Sequence, residues 1–78
     1  MPRSNLVERL KDKALAFVKS SEGLVGVSDV AKALEVSWAT ARAILLTLEA
    51  EGKVLSIRTP KGRLYSVAEK LQQLGLLK

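Results

Sequence analysis

A chain of 78 residues with a formal charge of +5 has room for one small domain, expected to span residues 1–78. Apolar residues make up 47% of it, too many for a disordered chain, yet no run approaches the ~20 of a spanning helix. With no Cys and no His, the composition excludes disulfides, thiolate nucleophiles, nearly every zinc or iron site and the commonest general base.

The opening residues, Met1 to Asn5, lead into a mixed charged segment with no apolar signal-peptide core, so a cytoplasmic location is expected. From Asn5 to Ser20 the residues Leu6, Leu10, Ala14 and Phe17 or Val18 recur at helical spacing, with Arg9, Lys11, Asp12 and Lys13 mostly between them. Asn5 and Glu8 form a capping-box pattern at the start of this first helix. Ser20 to Gly23 ends it, with Gly23 suited to a left-handed position. Leu24 to Val27 is long enough for an edge strand and no more.

Ser28 and Asp29 suit the start of a short second helix, Ser28 as its cap and Asp29 at the positive end of its dipole. Val30, Ala31 and Leu34 give that helix an apolar face, and it stops at Glu35 and Val36. Ser37 can cap a third helix so soon afterwards that the two must cross steeply, as in a helix-turn-helix. Ala41, Ile44, Leu45 and Leu48 form its buried stripe, and Gly52 ends it.

Beyond Gly52 the period becomes extended. Residues 53–58 and 63–67 are β-rich runs joined by Thr59, Pro60, Lys61 and Gly62, which carry the chemistry of a tight hairpin turn. A final short helix is expected from Ala68 to Leu74, using Val67, Leu71 and Leu74 and stopped by Gly75.

The charge follows this division. Up to Glu51, seven basic side chains cancel seven acidic ones. Beyond it Lys53, Arg58, Lys61, Arg63, Lys70 and Lys78 are opposed only by Glu69, so the whole excess lies in the last third. Concentration on one short segment points to a polyanionic partner far better than an even spread would.

Val30, Ala31, Leu34, Val36, Ser37, Thr40, Ala41, Arg42, Leu45, Leu48, Glu49 and Gly52, followed by the hairpin, form one ordered pattern. The chain resembles the winged helix-turn-helix family of archaeal- and bacterial-type transcription regulators over nearly its whole length. That resemblance implies an α+β fold: a three-helix core with a short edge strand, a β-hairpin wing and a C-terminal helix. It also implies a third helix in the major groove and a wing along the phosphate backbone or minor groove.

Arg58, Lys61 and Arg63 surround the hairpin turn and Lys53 stands at its base, with no acid between Gly52 and Ala68. Each can neutralise a phosphate, and three or four such contacts give a log K against log salt slope of roughly −3 to −4. The plainer use of such charges is to discourage edge-to-edge association. On the third helix the candidate contacts are Ser37, Trp38, Ala39, Thr40 and Arg42, of which only Arg42 is long and charged. Ala43 and Leu46 stand where polar residues are frequent in the family, which implies weak sequence specificity. Trp38 either meets a sugar, base or backbone or covers the open end of the core. Tyr65 is expected in the core. Glu49 and Glu51, two apart, point to different faces and belong to solvent or a nearby cation.

No phosphate-cradling glycine loop, nucleophile with a neighbouring base, or metal-ligand cluster is present, so neither catalysis nor a cofactor is expected. Double-stranded DNA is the expected partner, with no membrane. Structured RNA is the alternative: Ala41, Arg42, Ala43, Leu45, Leu48 and Gly52, with the strands reaching Tyr65, are also similar to the ribosomal protein S25e family. That family usually carries a Lys-rich N-terminal tail, whereas residues 1–20 here are of mixed charge. A third reading makes Ala39, Ala43 and Leu46 a contact for another protein. Leu46, Leu71, Leu74, Leu76 and Leu77 either build a homodimer through terminal helices or, in the last helix, pack on the first.

Overall fold

A computed structural model of the chain describes residues 6–73 and Gly75. The expected cap at Asn5 and the leucines at 74, 76 and 77 lie outside the described residues. The element order is α1 (Leu6–Ser20), β1 (Val25–Gly26), α2 (Val27–Leu34), α3 (Trp38–Ala50), β2 (Leu55–Thr59), β3 (Gly62–Ser66) and α4 (Ala68–Gln73). The strands form an antiparallel sheet in the order β1-β3-β2. This is the expected α+β winged helix-turn-helix.

Helix α1 buries Ala14 and Val18 completely, with Leu10, Leu15 and Phe17 packed partly against the core. Its end differs from the expected glycine stop, because Gly23 does not adopt a positive φ. Hydroxyls take that role: Ser20 Oγ donates to the Phe17 carbonyl at 3.2 Å and Ser21 Oγ to that of Val18 at 3.0 Å. Lys70 Nζ reaches across from α4 to the carbonyls of Val18 (3.4 Å), Lys19 (3.2 Å) and Ser21. A cation there satisfies orphan acceptors and opposes the helix dipole.

Only Val25 and Gly26 of the expected strand pair with β3, opposite Tyr65 and Leu64. Val27 already belongs to α2, which begins earlier than expected. Gly26 is the cap residue, and its N–H donates to the Asp29 carboxylate at 3.0 Å. Ser28 therefore lies exposed in the first turn rather than capping it. The helix ends on Glu35 in the left-handed region (φ 58°, ψ 46°), while Val36 N–H donates to the Ala31 carbonyl at 3.0 Å. Ser37 then caps α3 as expected, accepting from Thr40 N–H at 3.1 Å.

Ala41, Ile44, Leu45 and Leu48 of α3 are at most 5% exposed and join Val18, Val25, Val30, Val54 and Tyr65 in one core. Each large aliphatic side chain there contributes about 1.5–3 kcal/mol relative to exposure. Leu46, expected to face outward, is half-buried because the sheet runs alongside that flank. Leu71 is fully buried, so it fills the interior of this chain rather than a dimer surface. Among the described residues no helix is long and apolar enough to cross a membrane.

One ion pair ties the helices at the base of the wing. Lys11, 8% exposed, donates to Glu51 at 2.5 Å and lies 3.5 Å from Glu8. The hydrogen bond from Lys11 holds the Glu51 carboxyl below its ordinary range, against the opposing effect of desolvation, and raises the Lys11 pKa in turn. Lys53 stands 3.6 Å from the same carboxylate. Ser56 Oγ donates to Glu49 at 2.7 Å, so both acids at the end of α3 have partners.

Candidate nucleic-acid interface

The wing is a two-residue hairpin. Thr59 pairs with Gly62, Arg58 with Arg63, Ile57 with Leu64, Ser56 with Tyr65 and Leu55 with Ser66. Pro60 and Lys61 form the loop, and Gly62 takes a φ of 129° that an L side chain would strain. The Thr59 hydroxyl closes the turn from inside, donating to the Gly62 carbonyl at 2.6 Å and accepting from Lys61 N–H at 3.2 Å. The turn is therefore fixed on both sides, and the cations around it are held on a short, stiff ribbon.

Register assigns faces. Cross-strand partners share one side of a sheet and alternate residues recur on it. Arg58 and Arg63 thus lie on the face that carries Ser56 and Tyr65. Tyr65, 2% exposed, turns that face toward the core, as expected of it. The two arginines continue the same face past the end of the core, where both are exposed.

That face meets the start of α3. Val27, Trp38, Arg42, Leu46, Arg63 and Tyr65 line a cleft of about 290 Å³. A second hollow of about 200 Å³ adjoins it, with Trp38, Lys61 and Arg63 opposite Gly26, Val27 and Ser28. Trp38 belongs to both. At 54% exposed it does not close the core; it stands as a wall between α3 and the wing. The Gly26–Leu64 pairing brings the first turn of α2 into this neighbourhood, which no local pattern in residues 26–28 signals.

The candidate residues therefore divide. Trp38, Arg42, Lys61 and Arg63 come together around the two hollows, with Arg58 across the strand from Arg63. Ala39 and Thr40 turn the other way, into an apolar groove of about 310 Å³ between α1 and α3 that Val7, Leu10, Ala43, Ile44 and Thr47 also line. Ser37 and Thr40 are engaged with each other, Ser37 Oγ donating to Thr40 Oγ1 at 2.9 Å. Lys53 stands apart at the wing base beside Glu51. Four strand steps separate that base from the tip, about 13 Å and more than a Debye length in physiological salt.

Among the described residues no acid forms an ion pair with Arg42, Arg58, Lys61 or Arg63; the pairs present are those of Lys11 and Lys53. Charge is thus segregated along the wing, neutralised at its base and positive at its tip. Arg58 and Arg63, directly opposed, repel each other at some cost in the free protein. An anion placed against them relieves that cost. No group of three or more acidic side chains gathers among the described residues to hold a metal ion.

The sequence profile of the family described as FaeA-like protein matches residues 10–67, from α1 through the wing. The chain belongs to the FaeA-like protein family. Among curated proteins no sequence matches it. Two solved structures share the fold of this FaeA-like chain. The ferric uptake regulator Fur of Helicobacter pylori is 19% identical with a TM-score of 0.73, over 87% of this chain and 47% of that one. A mutant of ZitR from Lactococcus lactis is 19% identical with a TM-score of 0.55, over 95% of this chain and 52% of that one. At such identity the likeness is one of fold, and the FaeA-like chain spans about half the length of each.

Proposed function

We propose that this chain binds duplex DNA as a single winged-helix domain and regulates transcription in the cytoplasm. Arg58, Lys61 and Arg63 hold phosphates from the wing, and α3 lies in the major groove with Arg42 toward the DNA, while Thr40 stands on the opposite flank. The carrying observation is three cations on a stiff, acid-free hairpin with Arg42 of α3 facing them, none of the four ion-paired among the described residues. Membership of the FaeA-like family and a fold shared with a ferric uptake regulator support the reading. Trp38 adds a flat apolar surface between the two contact elements, suited to a sugar or a phosphodiester edge. Ser37 serves as the helix cap and Ala39 as a small spacer, while Lys53 contributes only weakly beside Glu51.

The role is binding rather than catalysis. Pairing of two chains through terminal helices would double the wings on a two-fold axis, but the proposed contact needs only one. The test is a direct comparison of duplex DNA and structured RNA of equal length, with the chain and its Lys61→Ala/Arg63→Ala variant. Tighter binding to duplex DNA that weakens in the variant supports the reading. Tighter binding to structured RNA replaces it with the ribosomal S25e-like one, and binding to neither with a protein-interaction role.

A further inference from the structure

Resting on the DNA-binding reading, we propose that Glu49 is a positioning residue. It pins the wing to α3 through Ser56, so that the wing cations and Arg42 address one duplex together, and it touches no phosphate itself.

The two contact elements are not packed against each other along their length. Trp38, Arg42, Leu46 and Glu49 recur about one turn apart on a single flank of α3, the flank beside the wing. Between the first three of these and Arg63 and Tyr65 of β3 lies the cleft of about 290 Å³, so α3 and the wing form an open V. One turn beyond Leu46 the V closes. The Glu49 carboxylate accepts from Ser56 Oγ at 2.7 Å, the only side-chain hydrogen bond between α3 and the strands among the described residues. Ser56 lies opposite Tyr65 on the face that Arg58 and Arg63 continue, and both Glu49 and Ser56 are half-buried.

The locked turn at Thr59 and Gly62 makes the hairpin stiff in itself, which leaves its angle to α3 to be set. Strand β2 is the outer strand of the sheet and pairs with β3 alone. Thr59, at the turn, stands three residues beyond Ser56, about 10 Å along the strand. A tilt of roughly 10° about Ser56 therefore moves the tip by roughly 2 Å, enough to break a charge-assisted hydrogen bond of ~2.7–2.9 Å to a phosphate. A hydroxyl bonded to a carboxylate resists such a tilt better than a neutral pair does. The neighbouring contact of Lys53 with Glu51 is longer, at 3.6 Å, and precedes β2, so it fixes the path into the wing rather than the wing's angle.

The experiment measures affinity for one duplex DNA over a range of salt, with the full chain and its Ser56→Ala, Ser56→Thr and Glu49→Ala variants, circular dichroism checking the fold of each. Ser56→Ala leaves the net charge unchanged. We expect it to bind roughly three- to tenfold more weakly, the order of one or two side chains' worth of ordering moved into the binding step. Its salt slope stays that of the parent, because the same cations meet the same phosphates. Ser56→Thr keeps the hydroxyl and restores the affinity. Glu49→Ala removes a negative charge, which alone would tighten binding to a polyanion; positioning predicts weaker binding instead. Either alanine variant decides the matter if the other fails to fold. Parent-like affinity in Ser56→Ala, tighter binding by Glu49→Ala, or a Ser56→Thr variant as weak as Ser56→Ala overturns the inference and leaves the DNA reading standing. So does a Ser56→Ala slope shallower by about 0.9, the mark of a wing cation neutralised by the freed carboxylate. Failure of the parent chain to bind duplex DNA overturns both.

Discussion

Replacing Lys70 by Met separates structural charge from binding charge. Lys70 belongs to the basic last third of the chain, yet its ammonium donates to the carbonyls of Val18, Lys19 and Ser21 at the end of α1. Methionine keeps most of the apolar stem and removes the donor and the charge. A cation at a partly buried helix C-terminus is worth up to ~2 kcal/mol, and a hydrogen bond to a charged group ~1.5–3 kcal/mol. Water replaces part of this at the half-exposed site, so a loss of about 1–2 kcal/mol is expected. For a chain of this size that lowers Tm by roughly 4–16 °C. Thermal and urea unfolding followed by circular dichroism measure the loss, and a salt titration of DNA affinity on the same variant measures binding. The account predicts a destabilised protein whose salt slope is unchanged. Unchanged stability with a slope shallower by about 0.9 would show Lys70 to be a phosphate contact and refute the assignment.

Three further outcomes follow from individual side chains. Ser66 is fully buried and its Oγ has no hydrogen-bond partner among the described residues, so Ser66→Ala raises stability by about 1 kcal/mol in urea unfolding. The Glu51 carboxyl is held low by its hydrogen bond from Lys11, so its contribution is complete at neutral pH and disappears as pH falls through and below the ordinary carboxylate range. Glu51→Gln accordingly flattens the stability curve below about pH 4, whereas an acid limb as steep as that of the parent chain argues against the pair. Trp38 is the sole tryptophan and half-exposed, so duplex DNA changes its emission; a spectrum unaltered at saturating DNA removes it from the interface.

Features governed by neighbours in sequence were legible. The Ser37 cap, the Ala41–Leu48 stripe and the Thr59–Gly62 turn depend on spacings of a few residues, and all three stand where the pattern placed them. What was missed depends on distant partners. Lys11 reads as part of a charged helix face, but Glu51 lies forty positions on and the pair sits against the core. Leu46 points outward on the wheel of α3 taken alone and is covered by a sheet the wheel does not contain. Lys70 counts toward the basic excess although a helix end engages it. Gly23 carries the usual signal for a left-handed cap, but serine hydroxyls and that lysine satisfy the same carbonyls. The candidate site divides the same way: the wing cations were visible as a run, while their meeting with Trp38 and Arg42 required the β1–β3 pairing.

The central claim is that four cations at the wing tip and on α3 grip phosphates. Its most direct test is the slope of log K against log salt for duplex DNA, measured for the chain and for Lys61→Ala/Arg63→Ala. With Arg42, Arg58, Lys61 and Arg63 each neutralising one phosphate, the account predicts roughly −3.6 for the chain and roughly −1.8 for the variant. A slope near zero, or one that the double substitution leaves in place, would contradict it.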